Sequence, residues 1–380
     1  MSFSGKCTFS SGPSLPEIAE DVSDLISINS PHETPLLDAL GDSPRSARST
    51  VHEWIEDTLI PNHDTVNDVI DSSTFSVDHP ERFRVGDLVR VEGTSETALV
   101  HSVDQNNQTI SLVRGYGGSV QGSIVSGTTL HLIANAALEG ADADPARYTQ
   151  RNRLSNYTQI FTASVSVSGS ELAVNQIGVR DELAWQKNLR SRELLRDLEN
   201  AVINGRASSV DPQGTGTVRR TLRGIISFLQ THQFNVGQNG FPANPSLTES
   251  QLNLALRYIW EKSTSRIDLI VVGGREKRAI NSFIASNRRY YTSNESFKDL
   301  VSTYESDFGL AKVVLSRYVP SGTVLLLDSS RIHVLPLASR SFQYVPLART
   351  GDSENGQLIG EYTLELRNES AHGIIRGFTS

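Results

Sequence analysis

Hydrophobic positions along this chain follow two periods, and the change from one to the other divides it. Between Val179 and Ile203, the residues Val179, Leu183, Leu194, Leu198 and Ala201 fall on one side at 100° per residue, with Ala184, Leu195 and Val202 widening the stripe. This predicts one amphipathic helix of roughly 35–40 Å, closed by Asn204-Gly205 as a left-handed stop. Trp185 and Leu189 point away from the stripe, and Lys187, Arg190 and Ser191 interrupt it at mid-length. One reading is a surface helix with a few exposed apolar side chains. The other is a rod that touches its own domain at the ends and another subunit on its outer face, with Trp185, Leu189, Arg192 and Arg196 as assembly-interface residues.

The remaining pattern is taken in chain order. Residues 1–50 form an arm broken by Pro13, Pro16, Pro31, Pro35 and Pro44. It holds a short amphipathic helix at Pro16–Ile28 and a second short turn from Thr34-Pro35 to Gly41. With so few neighbours to cover these stripes, the arm is expected to be dispensable for folding and needed for assembly. From 51 to 150 the pattern turns to short strands, at Leu88–Val91, Ala98–Val103 and Thr109–Val113, punctuated by Gly, Asp and Asn, which predicts a small β-barrel or roll. Arg114-Gly115-Tyr116-Gly117-Gly118 closes it as a turn, since its spacing fits no phosphate loop. Residues 151–217 contain the alternating strand Ile160–Val167 and the long helix.

Residues 218–340 read as an alternating α/β unit. Thr248 caps a helix carrying Leu252, Leu256, Ile259 and Trp260; the strand Ile267–Val272, the turn Gly273-Gly274 and a helix at Arg275–Ser286 follow. Three more apolar strands lie near Leu310–Leu315, Thr323–Leu327 and Ile332–Leu337. In the last segment, 341–380, Tyr362–Leu366 and Gly373–Phe378 look like strands returning to pair outside the compact unit.

Composition narrows the classes. A chain of 380 residues with 37% hydrophobic content can bury a sizeable core. No run reaches the length of a membrane span, and the first thirty residues lack the basic-then-apolar pattern of a secretion signal. Cys7 is the only cysteine, which excludes a disulfide framework within the chain and favours a reducing compartment. A net charge of −8 argues against tight wrapping of nucleic acid and leaves room for weak contact with a polyanion. No lysine occurs between Lys6 and Lys187, so arginine supplies the positive charge throughout that span.

The sequence holds no familiar catalytic constellation. No two of the nine histidines stand three or four residues apart, one cysteine cannot build a thiolate site, and His52-Glu53 lacks the second histidine of a zinc protease. Neither a nucleophile elbow nor a Walker loop is present. The expectation is therefore no catalytic residue, no metal site and no cofactor.

Several strings nonetheless occur in a telling order. They are Thr34-Pro35-Leu36-Leu37, Phe83-Arg84-Val85-Gly86-Asp87-Leu88-Val89-Arg90-Val91, Arg114-Gly115-Tyr116-Gly117-Gly118, Arg147-Tyr148-Thr149-Gln150, Asn156-Tyr157-Thr158-Gln159-Ile160-Phe161, Ser168-Gly169-Ser170 and Leu194-Leu195-Arg196-Asp197-Leu198-Glu199. Over nearly its whole length the chain resembles the tailed-phage major capsid proteins of the Hong Kong 97-type fold, in the subgroup with a small β-domain on the extended loop. The resemblance implies an α+β fold. Its parts are an N-terminal arm (1–50), an extended loop with a small β-barrel insertion (51–150), a peripheral domain with a long spine helix (151–217), an axial α/β domain (218–340) and return strands of the peripheral domain (341–380).

It further implies a structural protein, not an enzyme, that assembles into an icosahedral shell around double-stranded DNA. The implied partners are copies of itself in hexamers and pentamers, a scaffolding protein, a portal, decoration or cement proteins, and packaged DNA through weak contacts, with no membrane. The implied location is the virion, assembled in the host bacterial cytoplasm. The family's type member joins subunits through Lys–Asn bonds from the extended loop, and residues 51–150 contain no lysine for it. Two other readings of the same residues are an encapsulin-like nanocompartment shell and a cytosolic enzyme with a site near Gly273-Gly274, at the end of the strand Ile267–Val272.

Overall fold

The computed structural model describes residues 33–142, 146–173, 181–264, 266–287, 303–349 and 351–379. The chain divides into two compact units, one of residues 55–153 and one of residues 1–54 with 154–380.

The first described element, α1 (Pro35–Leu40), opens on proline and stops at Gly41 (φ 69°), as Thr34-Pro35 and Gly41 predict, but Thr34 makes no side-chain cap bond. Glu199, far along the chain, caps it instead: Leu36 N and Leu37 N donate to Glu199 Oε2 at 3.2 and 3.4 Å. Leu36 is fully buried in the main core. This corrects the picture of an arm with nothing local to lie on, because from Pro35 onward it is part of its own subunit, and cutting away residues 1–45 would remove core packing. The helix expected at Pro16–Ile28 lies outside the described residues. After α1, β1 (Val51–Glu56) leads out of the larger unit.

The smaller unit is a closed barrel of β2 (His63–Val69), β3 (Thr74–Val77), β4 (Asp87–Val91), β5 (Thr97–Asp104), β6 (Thr109–Val113) and β7 (Thr129–Asn135), in the order β2-β3-β6-β5-β4-β7. Alternate side chains fill it, Val89 and Val91 meeting Ala98, Val100, Ile110 and Leu112. The expected strands are β4, β5 and β6. Polar Asp64, Asn67 and Asp68 hid β2, whose carboxylate Asp64 is spent on Arg82 (3.0 Å) and the His79 amide (2.8 Å). Arg114-Gly115-Tyr116-Gly117-Gly118 is the expected turn, with Gly115 and Gly117 both left-handed. Its arginine is a half-buried latch on a buried carboxylate: Nε and Nη2 grip Glu96 at 2.5 and 2.7 Å, and the amides of Gly115 and Gly122 donate to the same carboxylate. Burial pushes the Glu96 carboxyl up, but Arg114 and those two amides outweigh it and hold it below the ordinary range.

The chain re-enters the larger unit through β8 (Asn152–Tyr157), which pairs with β1. β9 (Gln159–Ser168) buries Phe161, Val165 and Val167 on one face as the alternation predicts. A short α2 (Gly169–Ala173) precedes the long helix α3 (Glu182–Asn204), whose 23 residues span about 34 Å. Asp181 caps it by accepting from Ala184 N at 3.0 Å, and Val179 lies outside the described residues. Gly205 is not a left-handed stop, since its φ is −54°. Glycine is required there for close approach: a Cβ would sit 2.4 Å from Ala201 O and 2.8 Å from Leu222 O, while Gly224 N donates to Gly205 O at 2.9 Å.

The elements that follow are α4 (Ile225–Phe228), β10 (Gln233–Asn235), α5 (Glu249–Lys262), β11 (Leu269–Val272), α6 (Gly274–Asn287), β12 (Thr303–Ser306), β13 (Gly309–Leu315), β14 (Thr323–Leu327), β15 (Ile332–Pro336), β16 (Gln343–Pro346), β17 (Ser353–Leu366) and β18 (Gly373–Arg376). Thr248 and Gln251 form the capping box that starts α5. A six-stranded sheet, β10-β18-β14-β11-β13-β12, is the wall of this unit. Leu269, Val271, Leu325 and Leu327 face the core under α3, and Ile270, Val272, Val324 and Leu326 face the core under α5. Strands buried on both faces explain the unbroken apolar runs. Two expectations change here. β18 belongs inside this sheet, between β10 and β14, rather than outside the compact unit, whereas β15 leaves it to pair with β17.

β17 organises the second sheet, with β9 along one edge and β16 and β15 in succession along the other. Its Leu358, Leu364 and Leu366 enter the core under α3, while Glu361 and Glu365 alternate with them and are almost fully buried. Glu361 accepts from Thr158 Oγ1 (2.5 Å) and Arg220 (2.6 Å) and pairs with Arg340 (3.0 Å). Glu365 bonds His52 Nε2 at 2.7 Å and pairs with Arg45 and Arg367. Burial raises the Glu365 carboxyl, but the His52 bond and the two guanidiniums outweigh it and bring it down to about 2.

Two stability outcomes follow from these carboxylates. Because Glu365 titrates near 2 in the folded chain and at its ordinary 4.5 when unfolded, its contribution is present above pH 4.5 and is lost as pH falls toward 2. Glu365→Gln is expected to remove about 2–3 kcal/mol at neutral pH and to flatten that acid limb in denaturant titrations; an acid limb as steep as the parent's would refute the assignment. Glu199→Ala strands two amides and a hydroxyl and is expected to cost about 3 kcal/mol by the same measurement, whereas Glu199→Gln, which keeps an acceptor for the amides, stays within about 1 kcal/mol of the parent.

Candidate assembly surface

The long helix is buried unevenly. Leu194, Leu198, Glu199, Val202 and Ile203 are its buried residues, all in the C-terminal half, and the helix packs on α4, β9 and β17. In the N-terminal half Leu183, Trp185 and Leu189 are each half-buried and Ala184 is exposed. The expected stripe therefore holds at Leu194, Leu198 and Val202 and fails at Leu183, Ala184 and Leu195, the last of which is 37% exposed. Trp185 and Leu189 are likewise not an exposed pair in the single subunit. Trp185 shares its helical row with Ile203, eighteen residues or five turns later, so the row that is core at one end of α3 is half-open at the other.

Polar residues along α3 hold local partners. Arg196 pairs with Asp197 at 3.2 Å, Arg190 with Glu193 at 2.5 Å, and Lys187 Nζ lies 3.8 Å over the Tyr344 ring of β16. Arg192 lines a shallow open pocket with Ala184, Lys187, Asn188, Ser191 and Leu358. Of the four residues chosen from sequence, Trp185, Arg192 and Arg196 follow one another along a single side of the rod, about 160–200° from Leu194, and Leu189 flanks them.

Glu199 was missed, although a signal existed: a carboxylate lies inside the arc marked out by Leu198, Val202 and Ile203. Besides the two amides of α1, its Oε1 accepts from Ser316 Oγ at 2.8 Å. Burial raises its carboxyl above the ordinary range, against the lowering effect of Ser316 and the Leu37 and Leu36 amides.

The region near Gly273-Gly274, where an enzyme of this topology would hold its ligand, is closed by its own polar groups. Glu276 accepts from Gly322 N at 3.1 Å, Ser316 N donates to Val272 O at 3.0 Å, and Lys277 Nζ donates to Val313 O at 3.2 Å. Burial lowers the Lys277 ammonium from its ordinary value. Among the described residues no three His, Cys, Asp or Glu side chains gather as a metal site, and no helix is long and apolar enough to cross a membrane.

Comparison with known proteins gives this geometry its setting. The family described as the SU10 major capsid protein matches residues 3–379. The major capsid protein of Escherichia phage Phieco32 is 23% identical over 288 residues, which are 63% of this chain and 80% of that one. Among solved structures, the capsid of a native GTA particle superposes with a TM-score of 0.55 at 10% identity, covering 99% of this chain and 100% of that chain. The capsid of cyanophage A-1(L) gives 0.54 at 12% identity, with 97% and 99% covered. The capsid of the Myoviridae phage XM1 gives 0.51 at 10% identity, again with 97% and 99% covered. These likenesses show the Hong Kong 97-type fold expected from the sequence. With a family match that runs from residue 3 to residue 379, the chain belongs to the SU10 major capsid protein family: it is a tailed-phage major capsid protein, a structural component of the virion built in many copies, and not an enzyme.

Proposed function

We propose that copies of this chain close into hexamers and pentamers through the outer side of α3, with Trp185, Leu189, Arg192 and Arg196 at the contact, and through the barrel unit. The observation that carries the proposal is apolar surface left open by the single chain. In the barrel unit Leu59, Val120, Leu138 and Tyr148 are 93, 77, 83 and 85% exposed, and on α3 an aromatic and a leucine stand half-covered beside arginines. Surfaces of this make-up are costly in isolation and suit burial against a neighbour. One sequence can meet five-fold and six-fold surroundings when many modest contacts act together.

In this reading residues 1–50 are the arm, 51–150 the extended loop, 151–217 and 341–380 the peripheral domain, and 218–340 the axial domain. A scaffolding protein, a portal and decoration or cement proteins complete the head, which assembles in the host cytoplasm around double-stranded DNA. The net charge of −8 suits a container that touches its genome only weakly, because a strongly basic lining would bind DNA and resist its release.

Alanine variants test the contact. Leu198→Ala, at a fully packed position, is expected to destabilise the isolated subunit by about 2–5 kcal/mol. Trp185→Ala and Leu189→Ala are expected to cost the subunit about 1 kcal/mol and to cut particle yield severely, read by electron microscopy. Normal shells from Trp185→Ala would overturn the assignment of this face. Particles boiled in detergent are expected to run near the 41.6 kDa monomer, since residues 51–150 supply no lysine for loop cross-links; a denaturant-resistant ladder of multiples would contradict this.

A further inference from the structure

Among the described residues, several half-buried arginines are matched by carboxylates: Arg114 by Glu96, Arg220 by Glu361 and Arg82 by Asp64. A different arrangement gathers three arginines. Beyond the C-terminal end of α3 an open pocket of about 530 Å³ is lined by Arg206, Arg223 and Arg376, together with neutral residues that include Tyr157, Gln230 and Gln233 and with no aspartate or glutamate. Arg223 is held by its stack on the Phe228 ring, 4.2 Å from the centroid, and by a bond to Ser227 O at 3.4 Å. Arg376, at the end of β18, is half-buried, and Arg206 is exposed at the rim. Glu369, beyond Gln230, is turned to the amides of Gln230 and Thr231 at 2.6 and 2.8 Å.

Three like charges facing one concavity repel unless an anion joins them. Burial, and then the charge of Arg206, lower the Arg376 guanidinium from its ordinary value, as that repulsion requires. A single carboxylate brings one charge and two oxygens, too few for three guanidiniums. A phosphate group brings up to two charges and several oxygens, and the planar guanidinium fork matches it.

We propose that Arg206, Arg223 and Arg376 form a phosphate-binding pocket that takes one phosphate group, supplied free or by a nucleic-acid backbone. The pocket stands on its own residues and does not depend on which faces of the subunit meet in the shell.

Calorimetric titration of the full chain with inorganic phosphate tests this. Saturable binding is expected, weakened about tenfold or more by Arg206→Gln and by Arg376→Gln, and largely kept by Arg376→Lys. Arg257→Gln, which removes the surface pair with Glu261 on α5, is expected to bind as the parent does. Arg206 is exposed, so its variant reports even if Arg376→Gln fails to fold. A short DNA duplex that competes with phosphate identifies a nucleic-acid backbone as the source, and one that leaves phosphate binding unchanged identifies free phosphate; either result supports the pocket. Absence of saturable phosphate binding, parental affinity in Arg206→Gln, or displacement of phosphate by equimolar acetate would overturn it, the last pointing to a carboxylate from a second copy.

Discussion

A carboxylate buried away from solvent holds the larger unit together at one point. Glu199 is fully buried near the end of α3 and joins three segments that are distant in the chain: the first turn of α1, the loop after β13 and the helix itself. A short helix such as α1 is marginal alone, because its first amides have no partner and it forms few internal bonds. Glu199 satisfies two of those amides where Thr34 does not, and this lets Leu36 enter the core. The cost of desolvating the carboxylate is visible in its raised titration range.

The same device recurs along β17. One face of that strand sends leucines into the core, and the other sends Glu361 and Glu365 to arginines and a histidine from segments far away in sequence. Each carboxylate is almost fully buried yet supplied with several donors, the condition under which a buried charge is tolerable. Polar clamps of this kind fix which segment lies where. Apolar contacts alone would specify that less sharply. Asn156 follows the same rule, donating to Leu364 O and Arg223 O and accepting from Arg223 N, so that the loop before α4 is tied to the end of β17.

The subunit is packed where the C-terminal half of α3 meets the core and open at the N-terminal half. The row of α3 that begins at Trp185 and ends at Ile203 shows the transition within one helix, half-covered at one end and buried at the other. The barrel unit has its own small core and its own buried ion pair, Glu96 with Arg114, so it keeps its shape while presenting apolar side chains outward. For a shell protein this division makes sense, since each contact is modest and closure comes from their number.

Local pattern determined much of this protein directly. The helix at α3, the strands β4, β5, β6, β9 and β11, the capping box of α5 and the turn after Arg114 are each written in a few consecutive residues, because helix period, strand alternation and cap chemistry act over that range. The fold family was legible as an ordered set of short strings. What the sequence left open depends on partners far apart in the chain. Gly205 looks like a left-handed stop until Gly224 is brought against it, Glu199 has no visible partner until α1 lies on it, and β15 and β18 trade sheets because their pairing strands are β17 and β14. Trp185 belongs to the same class: sequence spacing sets the row it occupies, but only the tertiary packing of α3 decides that this row is half-covered at Trp185 and buried at Ile203.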